Sequence, residues 1–166
     1  MKVGILSDTH DQVERTRIAA KLLKDRGAKF LIHCGDITIA DVVHELATLP
    51  TYFVFGNCDD DRGGLEEAMK LIGGICLGRG GLIEQAGKTI AVTHGDSEQE
   101  LRRLKAMNPD FLCSGHTHQM IDYWEGGTRR INPGALHRAP FWSVNLLDLK
   151  TEELEVLRIE RVGLQG

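Results

Sequence analysis

Short apolar runs, each bounded by Gly, Asp or Asn, recur at residues 2–6 (KVGIL), 29–33 (KFLIH), 51–55 (TYFVF), 88–93 (KTIAVT) and 110–113 (DFLC). Runs of this length and composition predict buried strands. Between them the apolar spacing becomes that of a helix. Ile18, Ala19, Leu22 and Leu23 share one face of a segment that opens on Asp11 and Glu14, spaced as a capping box, and closes at Gly27, which predicts a helix over 11–26. Ser97 and Glu100 repeat the capping spacing ahead of Leu101, Leu104 and Met107, with Asn108-Pro109 as the stop. A third helix is predicted at about 39–48, before Pro50.

Past residue 115 the helical pattern disappears. Strands are predicted at 119–124, 128–131, 142–149 and 153–160, with Gly126-Gly127 and Thr151-Glu152 as turns. Alternation that gives way to hairpins predicts an α/β fold, a four-layer αββα sandwich of two mixed sheets flanked by helices, the second sheet largely antiparallel. No Pro-, Gly- or Ser-rich linker divides the chain, so residues 1–166 read as one domain. The Gly-rich stretch 73–87 ends in Gly87-Lys88-Thr89, which looks like the end of a phosphate-binding P-loop. Gly81 stands one residue too far from Gly87, and strand-like TIAVT follows where that motif needs a helix N-terminus, so the stretch reads as turns.

Composition narrows the function classes. With 166 residues, 42% hydrophobic and 27% charged, the chain can bury a sizeable core. Its net charge of −4 lacks the basic excess that phosphate backbones or anionic membranes select, so nucleic acid is not an expected partner. No apolar run nears the roughly 18 residues of a membrane span, and Ser7 and Asp8 interrupt the opening MKVGIL before a signal-peptide core forms. A cytoplasmic protein is expected. Cys34, Cys58, Cys76 and Cys113 form no CxxC pair and read as reduced thiols.

The chemistry lies where the strands end. Asp8 and His10 follow the first predicted strand, Asp36 the second and Asn57 the third; His94 closes the fourth, and His116 and His118 follow the fifth. Loops at the C-terminal ends of α/β strands converge in space, so these seven residues form a candidate site. Two carboxylates, one amide and four imidazoles make an O/N donor set suited to Mn²⁺, Fe²⁺, Zn²⁺ or Ni²⁺. Seven donors exceed one tetrahedral site and suit two ions sharing a carboxylate, an arrangement that generates hydroxide and clamps a phosphoryl centre. Two divalent ions, the two Asp carboxylates and one hydroxide leave a net charge near +1, which matches a phosphodiester.

The motifs DTH at 8–10, GD at 35–36, GNCD at 56–59, HG at 94–95 and GHTH at 115–118, with NPG at 132–134, resemble the calcineurin-like metallophosphoesterases, in particular their small bacterial and archaeal phosphodiesterase branch. The resemblance implies the αββα sandwich, with a dinuclear centre at the edge of its two sheets. It implies that Asp8, His10, Asp36 and His118 hold one ion and Asp36, Asn57, His94 and His116 the other, Asp36 bridging. A metal-bridging hydroxide would then hydrolyse a small phosphodiester, Mn²⁺ being the leading ion, with Ni²⁺, Fe²⁺ or Zn²⁺ as alternatives. Asn57, Cys58 and Asp36 are the candidate catalytic residues, and Asn57, His137 and Arg138 the candidate phosphate contacts.

Cys58 stands where many larger relatives have a histidine after GN, and Ala135 where a serine often follows NPG. A thiol is mostly protonated at neutral pH but donates hydrogen bonds poorly, which predicts stronger diesterase than monoesterase activity. Alternatives on the same residues are a phosphomonoesterase, a nuclease, or a non-catalytic protein-binding scaffold of this fold, and a homo-oligomer is left open. Around the seven donors, His33 reads as a hydrogen-bonded support, His44 as a helix residue, Asp96 as a turn residue or a support for His94, and Asp59–Asp61 as a solvated acidic loop.

Overall fold

The computed structural model describes residues 1–160. In chain order the elements are β1 (Lys2–Leu6), α1 (Val13–Asp25), β2 (Ala28–His33), α2 (Ala40–Glu45), β3 (Thr51–Phe53), α3 (Arg62–Leu71), β4 (Ile75–Cys76), β5 (Gly80–Gln85), β6 (Lys88–Thr93), α4 (Glu98–Lys105), β7 (Phe111–Cys113), β8 (Ile121–Glu125), β9 (Thr128–Asn132), β10 (Trp142–Asp148) and β11 (Leu154–Ile159). They build two mixed sheets, of order β11-β10-β1-β2-β3-β4 and β5-β6-β7-β9-β8. No helix among the described residues is long and apolar enough to cross a membrane.

Strand alternation sets the layers. Val3, Ile5, Phe30 and Ile32 of the first sheet meet Ile90, Val92, Phe111 and Cys113 of the second in a dry core between the sheets. The opposite face of the first sheet carries Leu6 and Leu31, which pack on Ala19, Ala20 and Leu23 of α1, Val42 and Val43 of α2, and Leu65, Ala68 and Met69 of α3. Ala91 and Leu112 on the outer face of the second sheet receive Leu101 and Leu104 of α4. The order is helices, sheet, sheet, helix. Full burial of a side chain such as Phe111 or Ile32 contributes roughly 1.5–3 kcal/mol, so the inter-sheet core fixes how the two sets of strand ends face each other.

Several local expectations change. The cap of α1 is Gln12, whose side chain makes no capping bond, while the Asp11 carboxylate accepts from Gln12 Nε2 instead. Ser97 does cap α4, accepting from the Glu100 backbone N–H. Residues 73–87 are more than turns: they hold β4 and β5, and β5 pairs antiparallel with β6 from Gly80↔Thr93 to Gln85↔Lys88. The second sheet is not largely antiparallel, since β6-β7 and β7-β9 run parallel. The late strands also divide between the sheets: β8 and β9 extend the second, while β10 and β11 cross to the first, where β10 lies antiparallel beside β1.

Candidate metal centre

The loops after β1, β2, β3, β6 and β7 meet at one end of the two sheets, and backbone bonds tie them pairwise. Asp8 N–H donates to Gly35 O and His10 N–H to Asp36 O, while Gly115 N–H donates to His94 O. Bonds between the sheets follow: His116 N–H donates to Asp8 Oδ2 at 3.0 Å, and His94 Nδ1 donates to Cys34 O at 2.7 Å. The motif glycines permit this approach. A Cβ on Gly56 would stand 2.1 Å from Asp36 Oδ1, and one on Gly115 would stand 1.9 Å from Ser7 Oγ and 2.5 Å from Asp8 Oδ2.

All seven residues singled out in the sequence come together. Asp8, Asp36 and His94 are buried and form the floor; His10 and His118 are half-buried, and Asn57 and His116 lie on the open rim. Asp8 Oδ1 approaches His118 Nε2 at 3.1 Å and His94 Nε2 at 4.0 Å. Asp36 Oδ2 is 3.3 Å from His94 Nε2 and 3.7 Å from His10 Nε2. Asn57 Oδ1 lies 3.0 Å from His94 Nε2 and 3.1 Å from His116 Nδ1.

Four of the seven donors are aimed by their other atoms. Asp8 Oδ2 accepts from Ser7 Oγ and His116 N–H, which leaves Oδ1 facing the centre. Asp36 Oδ1 accepts from Cys58 N–H at 2.8 Å, leaving Oδ2 there. His94 and His118 each give Nδ1 to a backbone carbonyl, of Cys34 and of Arg138, and so turn Nε2 inward. A histidine fixed through one nitrogen by a carbonyl is the arrangement that orients a metal ligand. Asp8, His10, Asp36, His116 and His118 also all hold left-handed backbone, with φ from 45° to 71°. Such strain in non-glycine residues, about 1–3 kcal/mol each, persists only where surrounding contacts over-determine it.

The electrostatics ask for positive charge. Burial alone would drive a proton off His94, but its bond to Asp36 and the charges of Asp8 and Asp36 outweigh burial and raise its pKa to about 9. For Asp36 burial favours the neutral form, yet His94, the Cys58 N–H and His10 hold it well below the usual carboxylate range. Two buried atoms, Asp8 Oδ1 and His10 Nε2, have no hydrogen-bond partner although both face the centre. An unsatisfied buried polar atom costs roughly 1–3 kcal/mol, so these orphans and the O/N donor set fit divalent metal. Asp8, His10 and His118 form one group able to hold an ion, with ligand atoms within 4.8 Å of one another, and Asp8, Asp36 and His94 form another.

Cys58, a candidate catalytic residue from its place in GNCD, is exposed at the rim and forms a third such group with His10 and Asp36. Burial and the Asp36 charge raise its pKa, which opposes a thiolate nucleophile. Cys34 and Cys113 are buried in the inter-sheet core, and burial raises both, Cys113 to about 12. The His137 ring packs 4.6 Å from that of His10, centre to centre. Arg138 is exposed and meets the site through its carbonyl.

Support residues were only partly visible in advance. His33 is the hydrogen-bonded support expected: its Nδ1 accepts from Gly35 N–H, so Nε2 carries the proton and donates to Thr9 Oγ1 at 2.9 Å. His44 lies in α2 and Asp96 is exposed. Asp59 departs from the expected solvated loop. It is 3% exposed and accepts four backbone N–H groups. Asp61 caps α3, accepting from Gly64 N–H. Asn132 buries its amide beneath the GHTH loop, donating to Gly115 O and Thr117 Oγ1 and accepting from Gly134 N–H.

Comparison with known proteins agrees with this picture. The family model of the calcineurin-like phosphoesterase superfamily domain matches residues 1–152. A phosphodiesterase of Methanocaldococcus jannaschii is 28% identical over 166 residues, covering 96% of this chain and 100% of its own. A solved archaeal phosphodiesterase superimposes with a TM-score of 0.88 at 28% identity, over 96% of this chain and 100% of that one. A phosphoesterase from E. coli, at 22% identity and a TM-score of 0.71 over 96% and 100% of the two chains, shares the fold.

Proposed function

The chain belongs to the calcineurin-like phosphoesterase superfamily, and from that premise we propose that it is a metal-dependent phosphodiesterase acting on a small phosphodiester at a dinuclear site. One observation carries the reading: seven O and N donors from five strand ends converge, and the buried Asp8 Oδ1 and His10 Nε2 among them make no hydrogen bond within the protein. Asp8, His10, Asp36 and His118 would hold one ion, and Asp36, Asn57, His94 and His116 the other, Asp36 lying between. Such ions supply Lewis acidity toward a phosphate oxygen and a water activated as hydroxide for attack on phosphorus. The leading ion is Mn²⁺, with Ni²⁺, Fe²⁺ or Zn²⁺ as alternatives, because nothing in the set is soft except the rim thiol.

The chain's own residues supply placement. Asp36 and Asp8, each with one oxygen tied to backbone or hydroxyl, present a fixed negative floor. Asn57 on the rim would meet incoming phosphate, and so would His137, whose ring packs on His10, and Arg138, whose carbonyl meets His118. The Cys58 thiol, raised by burial and by Asp36, stays protonated at neutral pH and is a weak donor toward a leaving oxygen, which favours a diester with a good leaving group. The net charge of −4 speaks for a small substrate over a polynucleotide. In this reading residues 1–166 act as one domain in the cytoplasm.

The test is hydrolysis of an aryl phosphodiester and the matching monoester by metal-stripped protein, with Mn²⁺, Ni²⁺, Zn²⁺ or Mg²⁺ restored singly and Asp36→Asn alongside. Metal-restored diester turnover that Asp36→Asn lacks is the expected result. Preference for the monoester would make the enzyme a phosphomonoesterase. Metal binding without turnover of either ester would overturn the enzymatic reading in favour of a protein-binding scaffold.

A further inference from the structure

Asp59 sits one residue beyond the exposed Cys58 and one before the exposed Asp60, yet is itself 3% exposed. Its carboxylate is filled by backbone. Oδ1 accepts from Ile37 N–H at 2.7 Å and Thr38 N–H at 2.8 Å, and Oδ2 from Gly56 N–H at 2.7 Å and Asp36 N–H at 3.0 Å. Three successive N–H groups of one loop converging on a carboxylate form an anion nest of the kind that elsewhere grips phosphate. Here the anion is internal, so this nest positions protein and takes no substrate.

The backbone it holds is strained. Asp36 and Thr38 have φ of 58° and 71°, and for a β-branched residue such as Thr38 that conformation is an outlier. The bond is also reciprocal. Asp59 accepts from Asp36 N–H, while Asp36 Oδ1 accepts from Cys58 N–H, so the two loops clasp each other from both sides. Through the Gly56 N–H the same carboxylate fixes the approach to Asn57.

We propose that Asp59 is the positioning residue that sets Asp36 and Asn57 at the mutual placement needed for divalent metal, so that metal affinity depends on its carboxylate more than folding does. The proposal rests on the metal-dependent reading above. Asp59→Asn conserves size but replaces one oxygen with an NH₂ group, so that whichever way the amide turns, two of the four N–H groups face a donor. Removing a support of this kind typically weakens metal binding about 10–100-fold.

The experiment is calorimetric titration of metal-stripped protein with Mn²⁺ alone, for wild type, Asp59→Asn, Thr38→Gly and the double variant, each below its own melting midpoint. Expected are a Kd raised about 10–100-fold in Asp59→Asn, little change in Thr38→Gly, and partial recovery in the double variant, because glycine adopts the left-handed conformation without strain. A purely structural role would lower the melting midpoint and leave Kd unchanged, which would overturn the proposal. Should Asp59→Asn fail to fold, Asp59→Glu is read the same way: a weakened Kd supports the proposal and an unchanged one overturns it. Failure of the wild type to bind Mn²⁺ overturns the metal-dependent reading and this inference with it, whereas equal binding by wild type and variant overturns this inference alone.

Discussion

His33 makes the stability of this protein depend on pH in a calculable way. The ring is fully buried, stacked on Phe53 and bonded on both nitrogens, with Nδ1 accepting from Gly35 and Nε2 donating to Thr9. Burial, helped by the charges of His94 and His10 and opposed by Asp36, lowers its pKa from 6.5 to about 3. Below pH 6.5 the unfolded chain therefore takes up a proton that the native state refuses, and stability falls as pH drops through the window from 6.5 to about 3. At about 1.4 kcal/mol per unit, this one residue removes about 2 kcal/mol by pH 5, and about 5 kcal/mol over the whole window. His33→Gln keeps an amide N–H for Thr9 but cannot titrate. Urea unfolding of chelator-treated protein, followed by circular dichroism at pH 7, 6 and 5, should show wild type the more stable at pH 7 and its advantage shrinking by about 2 kcal/mol at pH 5. An advantage constant within about 0.5 kcal/mol across that range would refute the assignment of a neutral buried ring.

Two further outcomes follow from the same site. Gly56→Ala places a methyl 2.1 Å from Asp36 Oδ1 and 2.5 Å from its backbone nitrogen; overpacking of about 1–3 kcal/mol should lower Tm by about 2–10 °C in a melting experiment and abolish Mn²⁺ binding in a titration. Because His94 is held protonated up to about pH 9 by Asp36 and Asp8 against its burial, a metal there must displace a proton. The Mn²⁺ Kd should then fall about tenfold per pH unit between 7 and 8, with proton release visible as a dependence of the binding heat on the buffer; a Kd flat over that interval would contradict it.

The strand ends were legible because an apolar run stops at each of them and polar residues follow, with a glycine beside them at four of the five, the exception being Ser7–His10 after β1. That coincidence located Asp8, His10, Asp36, Asn57, His94, His116 and His118, which the structure brings together. Other elements lacked a local signal. The helix α3 has Gly63-Gly64, poor helix formers, in its first turn, and exists because Asp61 caps it and Leu65, Ala68 and Met69 find the sheet. In β5, Gly80-Gly81 hide the alternation, and pairing with β6 supplies the order. Asp59 reads as one of three consecutive acids, and only the turn that carries it under the Asp36 loop distinguishes it from Asp60. Sheet membership of β10 was equally hidden, since a hairpin pattern says nothing about which edge will receive it.

That last placement bears on how the chain is made. β1 is one of the two central strands of its sheet, flanked by β2 on one side and β10 on the other, so that Lys2 pairs with both Ala28 and Asp148. β2 ends at His33, and β10 begins only at Trp142, about 110 residues later. At about 5–20 residues per second, a ribosome leaves one edge of β1 open for roughly 5–20 s after the other has closed. Throughout that interval the nascent chain carries an unpaired apolar strand beside the Asp8 loop, a template for any other extended segment. The β10–β11 hairpin thus serves as a latch, and its arrival decides whether that edge pairs within the molecule or outside it.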